Sequence, residues 1–460
     1  SEQCFLFLVL LIMKFNRYLL GSTMVAALGG FLFGFDTAVI SGTTDALRHV
    51  FHLTSSQLGF TVASALIGTI LGSLAASKPA EILGRRKTLT ILAVLYFISA
   101  LGCGFAWSHT ALLLFRFIGG LAIGGASVVS PMYIAEISPP QARGRLVAVS
   151  QLNIVIGVLT AYASNYFISA QFPTSVASGT SDAWRWMLGV VAIPAILFFF
   201  FLIPIPESPR WLVKRHRRDE ALSVLQKLGN EDAEGVLKEI VDSLHEERVS
   251  VNEPFFTRKY RIPILLAFMV ATFNQMSGIN AIIYYTADIF RMAGAGQASA
   301  LFQSVIIGFT NLISTLIAMT MIDRFGRKKL LLIGSVGLTV CLGITAYAFY
   351  NGIGGGLVLG SLMGYIAFFG FSQGSVIWVF LSEIFPNRVR ARGQALGSFV
   401  HWFWCAIVSW TFPIIAEHSG GHAFSFFGCM MVLQFIMVWK FLPETKGVSL
   451  EQIQRTLGIE

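Results

Sequence analysis

The distribution of apolar and polar residues divides the chain into long uncharged segments separated by short charged ones. A bilayer core about 30 Å thick is crossed by about 20 apolar residues in a helix. Twelve segments meet that length, and we number them as spans 1 to 12. They are residues 15–42, 56–77, 88–107, 111–138, 143–170, 184–204, 261–290, 298–322, 329–350, 356–384, 391–416 and 421–442. The pattern therefore predicts an all-α membrane protein with twelve transmembrane helices.

The spans fall into two sets of six that share sequence landmarks in the same order and at a nearly constant separation. "GFDTAVISG" corresponds to "GINAIIYYT", and "EILGRRKTL" corresponds to "IDRFGRKKL". "EISPPQARGR" corresponds to "EIFPNRVRAR", and "PESPRW" corresponds to "PETKGV". Parallel six-span repeats form one recognised transporter architecture, whose substrate site lies between the halves near the membrane midplane. We therefore expect two pseudo-symmetric six-helix halves.

A charged segment separates the two sets of spans. Within it Leu237, Ile240, Val241 and Leu244 recur at helical spacing, which predicts amphipathic linker helices rather than a separate catalytic domain. The predicted divisions are an N-terminal half at 15–204, the linker at 205–260, a C-terminal half at 261–443 and a short tail at 444–460.

Composition agrees with lipid as the solvent for most of the surface. The chain is 55% hydrophobic and 12% charged, whereas soluble domains carry about 25% charged residues. The net charge of +9 does not indicate a nucleic-acid partner, because the basic residues fall in alternate connections between spans. Only Arg48 and Arg291 stand out in the opposite set of connections. This asymmetry places both termini and the linker in the cytoplasm.

Cysteines and histidines do not indicate a cofactor. The five cysteines lie far apart, with no C-x-x-C pair, and no two histidines have helical ligand spacing within a span. A membrane enzyme would need a nucleophile with its base or a set of metal ligands, and none converges. We therefore expect neither enzymatic activity nor a bound metal or cofactor.

Several motifs together identify a family. "GRRK" and "DRFGRKK" follow spans 2 and 8, "PESPRW" and "PETKG" follow spans 6 and 12, and "QMSGINAIIYY" lies in span 7. With these motifs the chain resembles the sugar porters of the major facilitator superfamily over roughly residues 15–455. It is most similar to bacterial proton-coupled pentose and hexose symporters and more distantly to animal glucose facilitators.

The resemblance implies a secondary active transporter that works by alternating access. Its substrates would be a monosaccharide and protons, and it would act as a monomer in the lipid bilayer of the bacterial inner membrane. An uncoupled sugar facilitator remains an alternative, and a non-transporting sugar receptor is a second one. The relatives that are receptors carry long cytoplasmic tails, whereas few residues follow Pro443 here.

One acidic residue, Asp36, lies within the apolar segment of span 1. A carboxylate at mid-membrane costs about 2.5–3.5 kcal/mol on insertion scales, so it indicates a function and a partner. The basic residue deep in another first-half span is Arg116. The pair is either a static contact between spans 1 and 4 or a proton-coupling device. The resemblance favours coupling, because facilitators of this family usually carry Asn at the position of Asp36.

A sugar site needs amides that both donate and accept hydrogen bonds, and aromatic rings that cover the C–H faces of the sugar. By resemblance, ten positions match ones that contact sugar: Phe33, Gln151, Gln275, Asn280, Tyr285, Asn311, Gly374, Trp378, His401 and Trp402. The alternative for the amides is a role as contacts between helices, and for the tryptophans plain packing. Two departures from the family affect the choice of sugar. Asn274 replaces a usual glutamine, and His401 replaces a usual Gln or Asn.

Charged residues recur at the predicted cytoplasmic ends of both halves, where "E-I-x-P-x-x-x-R-x-R" occurs twice. The basic residues alone would be explained by topology, but the repeated acids beside them would not. We expect a cytoplasmic gate of ion pairs that closes when the sugar site faces outward and opens when it faces inward. Its predicted members are Glu81, Arg85, Arg86, Glu136, Arg143, Arg145, Glu207, Arg210, Asp323, Arg324, Arg327, Glu383, Arg390, Arg392 and Glu444.

Overall fold

A computed structural model describes most of the chain. The described residues are 16–139, 142–172, 182–230, 232–249, 254–386 and 388–448, with 452, 453, 455, 457 and 458, and the side chains at 245–249 and 320–324 are outside the description. Within these residues all regular structure is helical. Twelve segments of the described chain are long and apolar enough to cross a membrane. The predicted all-α class with twelve spans is therefore confirmed.

The observed spans agree with the predicted ones to within a few residues at most ends. They are Arg17–Gly42, Ser55–Ala75, Arg85–Gly104, His109–Ile137, Arg143–Gln171, Ala183–Leu202, Arg258–Tyr284, Gln297–Met319, Arg327–Tyr350, Gly356–Glu383, Arg390–His418 and Gly420–Phe441. The agreement is close because length and hydropathy, which define the predicted spans, are also the properties that let a helix cross a bilayer.

Three spans are interrupted. Span 6 consists of Ala183–Gly189 and Ala192–Leu202, span 7 of Arg261–Met276 and Ile279–Tyr284, and span 10 of Gly356–Phe371 and Gln373–Glu383. The break in span 7 lies at Gly278, whose φ of 86° is left-handed, and the break in span 10 lies at Ser372. Interrupted helices are tolerated at membrane depth where other protein groups satisfy the freed backbone.

Short helices connect the spans. They are Thr44–Val50, Ser77–Leu83, Pro209–Lys214, Arg218–Lys227, Ala233–Val249 and Thr286–Met292. Leu237, Ile240, Val241 and Leu244 pack together against a small buried cluster centred on Trp211. The predicted single apolar face of the last linker helix is therefore confirmed.

Contacts group the described residues into two compact units. Unit 1 contains those within Ser1–Asp36, Ile67–Val158 and Leu188–Val251. Unit 2 contains those within Thr37–Leu66, Leu159–Met187 and Asn252–Glu460. Spans 7, 9, 10, 11 and 12 supply most of an apolar core in unit 2. The predicted domain boundaries at 204, 260 and 443 stay a prediction.

Candidate functional site

The acid in span 1 meets the arginine in span 4 within unit 1. Nη1 of Arg116 lies 3.0 Å from Oδ1 and 3.1 Å from Oδ2 of Asp36. The Arg116 side chain is 2% exposed and that of Asp36 is 15% exposed. Both groups are charge-assisted hydrogen-bond partners, which is the condition under which a buried charge is tolerated. The structure thus places the two predicted coupling residues in direct contact.

The surroundings of this pair are mostly closed to solvent. Tyr96 and Cys103 of span 3 are buried and interact electrostatically with Asp36. Among the described atoms, the Tyr96 hydroxyl has no hydrogen-bond partner. A guanidinium keeps its charge at any physiological pH, whereas a carboxylate can be neutralised by a proton. The pair can therefore exist as a closed ion pair or, after protonation of Asp36, as a cation beside a neutral acid.

Three of the predicted sugar-contacting side chains meet at the break in span 7, within unit 2. Nδ2 of Asn280 donates to Oε1 of Gln275 at 2.6 Å. Nε2 of Gln275 lies 3.1 Å from Nδ1 and 3.2 Å from Nε2 of His401 in span 11. Gln275 is fully buried, whereas Asn280 and His401 are half-buried. Amide and imidazole groups therefore form one connected polar cluster, of which Asn280 and His401 are partly exposed.

Two tryptophans flank this cluster. The ring centroids of Trp378 and Trp402 each lie 5.1 Å from the centroid of the His401 ring. Trp378 is 40% exposed, whereas Trp402 is 8% exposed. Aromatic faces beside amide donors and acceptors are the combination that a sugar ring requires.

The remaining sugar candidates have other surroundings. The hydroxyl of Tyr285 donates to the backbone oxygen of Ser409 at 2.8 Å, and the Tyr285 side chain is buried. Asn311 and Gly374, both half-buried in unit 2, make none of the described hydrogen bonds of the Gln275 cluster. Phe33 and Gln151 belong to unit 1, where Phe33 is half-buried and Gln151 is exposed.

Three charged residues and one serine at one end of unit 1 form what we call the first charged set: Arg85, Glu136, Glu207 and Ser208. Nη2 of Arg85 lies 2.7 Å from Oε1 of Glu136, and Ser208 Oγ donates to Oε2 of Glu136 at 2.5 Å. Oε1 of Glu207 accepts the backbone N–H groups of Arg85, Arg86 and Ser208 at 2.9, 3.2 and 2.9 Å. Glu207 thereby caps the N-terminus of span 3 with a negative charge, which the helix dipole favours.

The same arrangement recurs in unit 2 as the second charged set: Arg327, Glu383, Glu444 and Thr445. Nη2 of Arg327 lies 2.9 Å from Oε1 of Glu383, and Thr445 Oγ1 donates to Oε2 of Glu383 at 2.6 Å. Glu444 accepts the N–H groups of Arg327 and Lys328 at 2.9 and 3.1 Å. Each set closes within a single unit, so a gate between the two halves stays a prediction.

Other predicted gate residues lie around these two sets. Glu81 pairs with Lys214 at 3.5 Å, with both side chains about half exposed (59% and 47%). Nη1 of Arg86 donates to the backbone oxygen of Ile205 at 3.1 Å. Arg143, Arg145 and Arg392 are exposed, and Arg210 and Arg390 are half-buried. The side chains of Asp323 and Arg324 lie outside the described part of the chain.

Sequence reasoning missed two groups of residues. Ser208 and Thr445 complete the charged sets, and the shared hydroxyl in "PES" and "PET" was the available signal. Gln373 and Gln434 are buried amides, and Gln373 accepts through its backbone oxygen from Asn274, which the sequence had indicated only as a departure that affects the choice of sugar. A glutamine within the apolar run "MVLQFIM" of span 12 was the signal for Gln434.

Comparisons with known proteins agree with this arrangement. Residues 22–457 match the family model described as "Sugar (and other) transporter". The D-xylose-proton symporter of Escherichia coli strain K12 is 39% identical over 476 residues, covering 95% of this chain and 96% of that protein. The arabinose-proton symporter of Bacillus subtilis strain 168 is 35% identical over 433 residues, covering 94% and 93%.

A solved structure gives the same result for the fold. The inward open conformation of the xylose transporter XylE from E. coli superimposes with a TM-score of 0.86 at 38% identity, covering 95% of this chain and 100% of that one.

Proposed function

The chain belongs to the family of sugar (and other) transporters, and from this membership we propose that it is a proton:monosaccharide symporter working by alternating access. Its two-halved fold of twelve spans is that of the major facilitator superfamily, and it is a transporter rather than an enzyme. Its relatives include symporters of D-xylose and of arabinose. We therefore assign a pentose or hexose as the substrate class.

The contact between Asp36 and Arg116 is the observation that carries proton coupling. A closed ion pair holds spans 1 and 4 together at 3.0 Å, and both partners are largely withdrawn from water. A proton on Asp36 removes the negative charge and with it most of the attraction to Arg116. Spans 1 and 4 can then separate, so proton binding and helix movement become linked. The internal repeat places a neutral residue, Asn280, at the position that corresponds to Asp36.

The polar cluster of Gln275, Asn280 and His401, flanked by Trp378 and Trp402, is the proposed second-half part of the sugar site. From unit 1, Phe33 and Gln151 are proposed as its first-half contacts, and Tyr285, Asn311 and Gly374 as further contacts. The structure supports the proposal through the cluster's own geometry, since donors, acceptors and aromatic faces meet at one helix break. A broken helix at mid-span is a frequent location for a transporter's binding site.

The placement in the cell is part of the same proposal. The chain is a multi-pass membrane protein, and we place it in the bacterial inner membrane with both termini and the linker in the cytoplasm. The alternation of basic residues along the sequence supports this orientation. We further propose that a monomer is the transporting unit.

Uptake into proteoliposomes tests the proposal directly. Purified protein would be assayed with a panel of labelled pentoses and hexoses, with and without an imposed proton gradient. We expect uphill accumulation of at least one sugar, accompanied by alkalinisation of the external medium. Transport that proceeds without any proton movement would contradict symport and leave passive facilitation as the function.

The variant Asp36→Asn isolates the coupling step. The amide keeps the size of the side chain but cannot take up a proton, so accumulation should be lost while counterflow exchange of sugar continues. Asp45→Asn is the matched control, because it makes the same chemical change outside span 1, at a half-exposed residue. Accumulation by Asp36→Asn equal to that of Asp45→Asn would refute the role of Asp36.

A further inference from the structure

Two interrupted helices of unit 2, spans 7 and 10, are hydrogen-bonded to each other near the break in span 7. The hydroxyl of Tyr365 in span 10 donates to the backbone oxygen of Ser277 in span 7 at 3.0 Å. Three residues earlier in span 7, Nδ2 of Asn274 donates to the backbone oxygen of Gln373 at 3.3 Å. Gln373 is the first helical residue after the break in span 10. Span 10 therefore holds span 7 at two residues that precede the break at Gly278.

The contact to a backbone oxygen fixes the orientation of the Asn274 amide. A carbonyl oxygen can only accept a hydrogen bond, so the NH₂ group of Asn274 must face Gln373 and its Oδ1 must face the other way. Nε2 of Gln275 donates to that Oδ1 at 3.0 Å. Oε1 of Gln275 is consequently turned towards Nδ2 of Asn280, from which it accepts at 2.6 Å. One backbone oxygen in span 10 thus sets the orientation of three successive amides.

Gln373, whose backbone oxygen accepts from Asn274, is itself hydrogen-bonded to span 12. Nε2 of Gln373 donates to Oε1 of Gln434 at 2.8 Å and contacts Sδ of Met431 at 3.1 Å. Gln373 is 1% exposed and Gln434 is 3% exposed. Among the described atoms, Oε1 of Gln373 has no hydrogen-bond partner. Buried amides are costly in an apolar core, so this pair needs a reason other than packing.

We propose that Asn274, Gln373 and Gln434 are positioning residues for the sugar site. Gln434 in span 12 holds the side chain of Gln373, and the backbone oxygen of Gln373 orients Asn274 and, through it, Gln275 and Asn280; we call this set of contacts the amide chain. The proposal rests on the proposed sugar transport and deepens it. In the amide chain, one N–H of Gln275 donates to Asn274, and Oε1 of Gln275 accepts from Asn280. The second N–H of Gln275 then faces the His401 ring.

The consequence is a fixed pattern of donors and acceptors towards the sugar. Oδ1 of Asn280 is left as the acceptor for a sugar hydroxyl, and the nitrogen of His401 beside Gln275 acts as an acceptor in the neutral ring. Site groups of fixed polarity discriminate strongly between sugars, because a wrongly placed hydroxyl leaves a buried polar group unpaired. Without the chain the three amides are free to turn over, and the discrimination falls.

Sugar binding to the purified full-length protein tests the proposal. Trp378 and Trp402 lie beside His401, so the change of tryptophan fluorescence on adding sugar reports occupation of the site. The variants are Asn274→Leu and Gln434→Leu, with Asn274→Gln as the conservative replacement. The matched control is Thr345→Val, which removes a buried hydrogen bond at 2.8 Å between Thr345 and Ser361, in spans 9 and 10 of the same unit.

We expect Asn274→Leu and Gln434→Leu to raise the Kd of the transported sugar about tenfold, the size of one lost hydrogen bond. The ratio of Kd values between that sugar and an epimer differing at one hydroxyl should fall towards one. Asn274→Gln should recover part of the affinity, and Thr345→Val should retain both values. Thermal unfolding of all variants, measured alongside, should stay close to that of Thr345→Val.

Two results would overturn the proposal. One is wild-type affinity and epimer ratio in both leucine variants, and the other is an equal loss in Thr345→Val, which would make the effect one of general packing. Failure of the proposed function looks different. In that case the wild-type protein itself would neither bind nor transport any sugar of the panel, whereas failure of this inference alone leaves wild-type binding and transport intact.

Discussion

Two glycines that directly precede spans 3 and 9 show how single residues position the charged sets. Gly84 has φ 95° and ψ 164°, and Gly326 has φ 86° and ψ 161°, a backbone region that side chains other than glycine avoid. A Cβ on Gly326 would lie 2.6 Å from Oε2 of Glu444, and one on Gly84 would collide with the carboxylate of Glu207. The glycine in each "GRRK" or "GRKK" motif is therefore required both by the backbone turn and by the capping acid that follows it.

Gly326→Ala should destabilise the protein markedly. The strained backbone alone costs about 1–3 kcal/mol, and the added methyl group displaces the cap of span 9. Thermal unfolding in detergent should show a lower Tm. Gly343→Ala is the control, since nothing lies within 4 Å of a Cβ there and the residue is inside the helix of span 9. A Tm of Gly326→Ala that matched Gly343→Ala would show that neither the turn nor the cap matters for stability.

At the residue scale, sequence identified the individual chemical groups better than their orientations. Asp36 stood out because a carboxylate in an apolar span is costly, and Arg116 followed as its partner for the same reason. The orientation of Asn274 depends instead on a backbone oxygen in span 10, ninety-nine positions along the chain. No local pattern encodes that contact, so sequence reasoning gave Asn274 no structural role.

At the element scale, the charged sets join the ends of separate spans. In the second set, Arg327 begins span 9, Glu383 ends span 10, and Glu444 and Thr445 follow span 12. The Arg327 and Glu383 side chains are 11% and 25% exposed. An ion pair withdrawn from water is costly to break on one side, because the remaining charge is left without its partner. Removal of one partner from such a set should therefore destabilise the helix ends it joins.

Glu383→Gln tests this contribution. The variant leaves Arg327 partly buried beside a neutral amide, and we expect a loss of about 2–4 kcal/mol in the free energy of unfolding. The comparison is Glu81→Gln, which removes a pair with Lys214 whose side chains are 59% and 47% exposed. Exposed pairs contribute about 0–1 kcal/mol, so that variant should unfold close to the wild-type temperature. Equal shifts of the unfolding temperature in the two variants would contradict the expectation that the buried pair matters more for stability than the exposed pair.

Sequence predicted whole spans far better than their interruptions. Length and hydropathy determine where a helix can cross a bilayer, and both are local properties of the chain. The breaks at Gly278 and Ser372 are possible because Asn274, Ser277, Tyr365 and Gln373 bond to one another across spans 7 and 10. Such breaks depend on tertiary partners, so the apolar patterns of spans 7 and 10 predicted continuous helices.

At the scale of the whole molecule, the two halves carry different chemistry at corresponding positions of the repeat. In unit 1 the position holds Asp36, paired with Arg116, whereas in unit 2 it holds Asn280, bonded to Gln275. The other acids of the described spans, Glu136, Glu383 and Glu417, are the last or next-to-last residues of spans 4, 10 and 11. Proton coupling in this proposal therefore depends on a single carboxylate.

A single carboxylate implies one proton for each sugar, and that ratio determines a measurable potential. Moving one charge through 100 mV provides about 2.3 kcal/mol, and a tenfold sugar gradient stores about 1.4 kcal/mol. In proteoliposomes with equal pH on both sides, a tenfold sugar gradient should therefore be balanced, with no net flux, at about 60 mV for one proton. Two protons would bring the balance to about 30 mV. In Asp36→Asn the direction of flux should follow the sugar gradient alone at every potential, because no charge then crosses with the sugar.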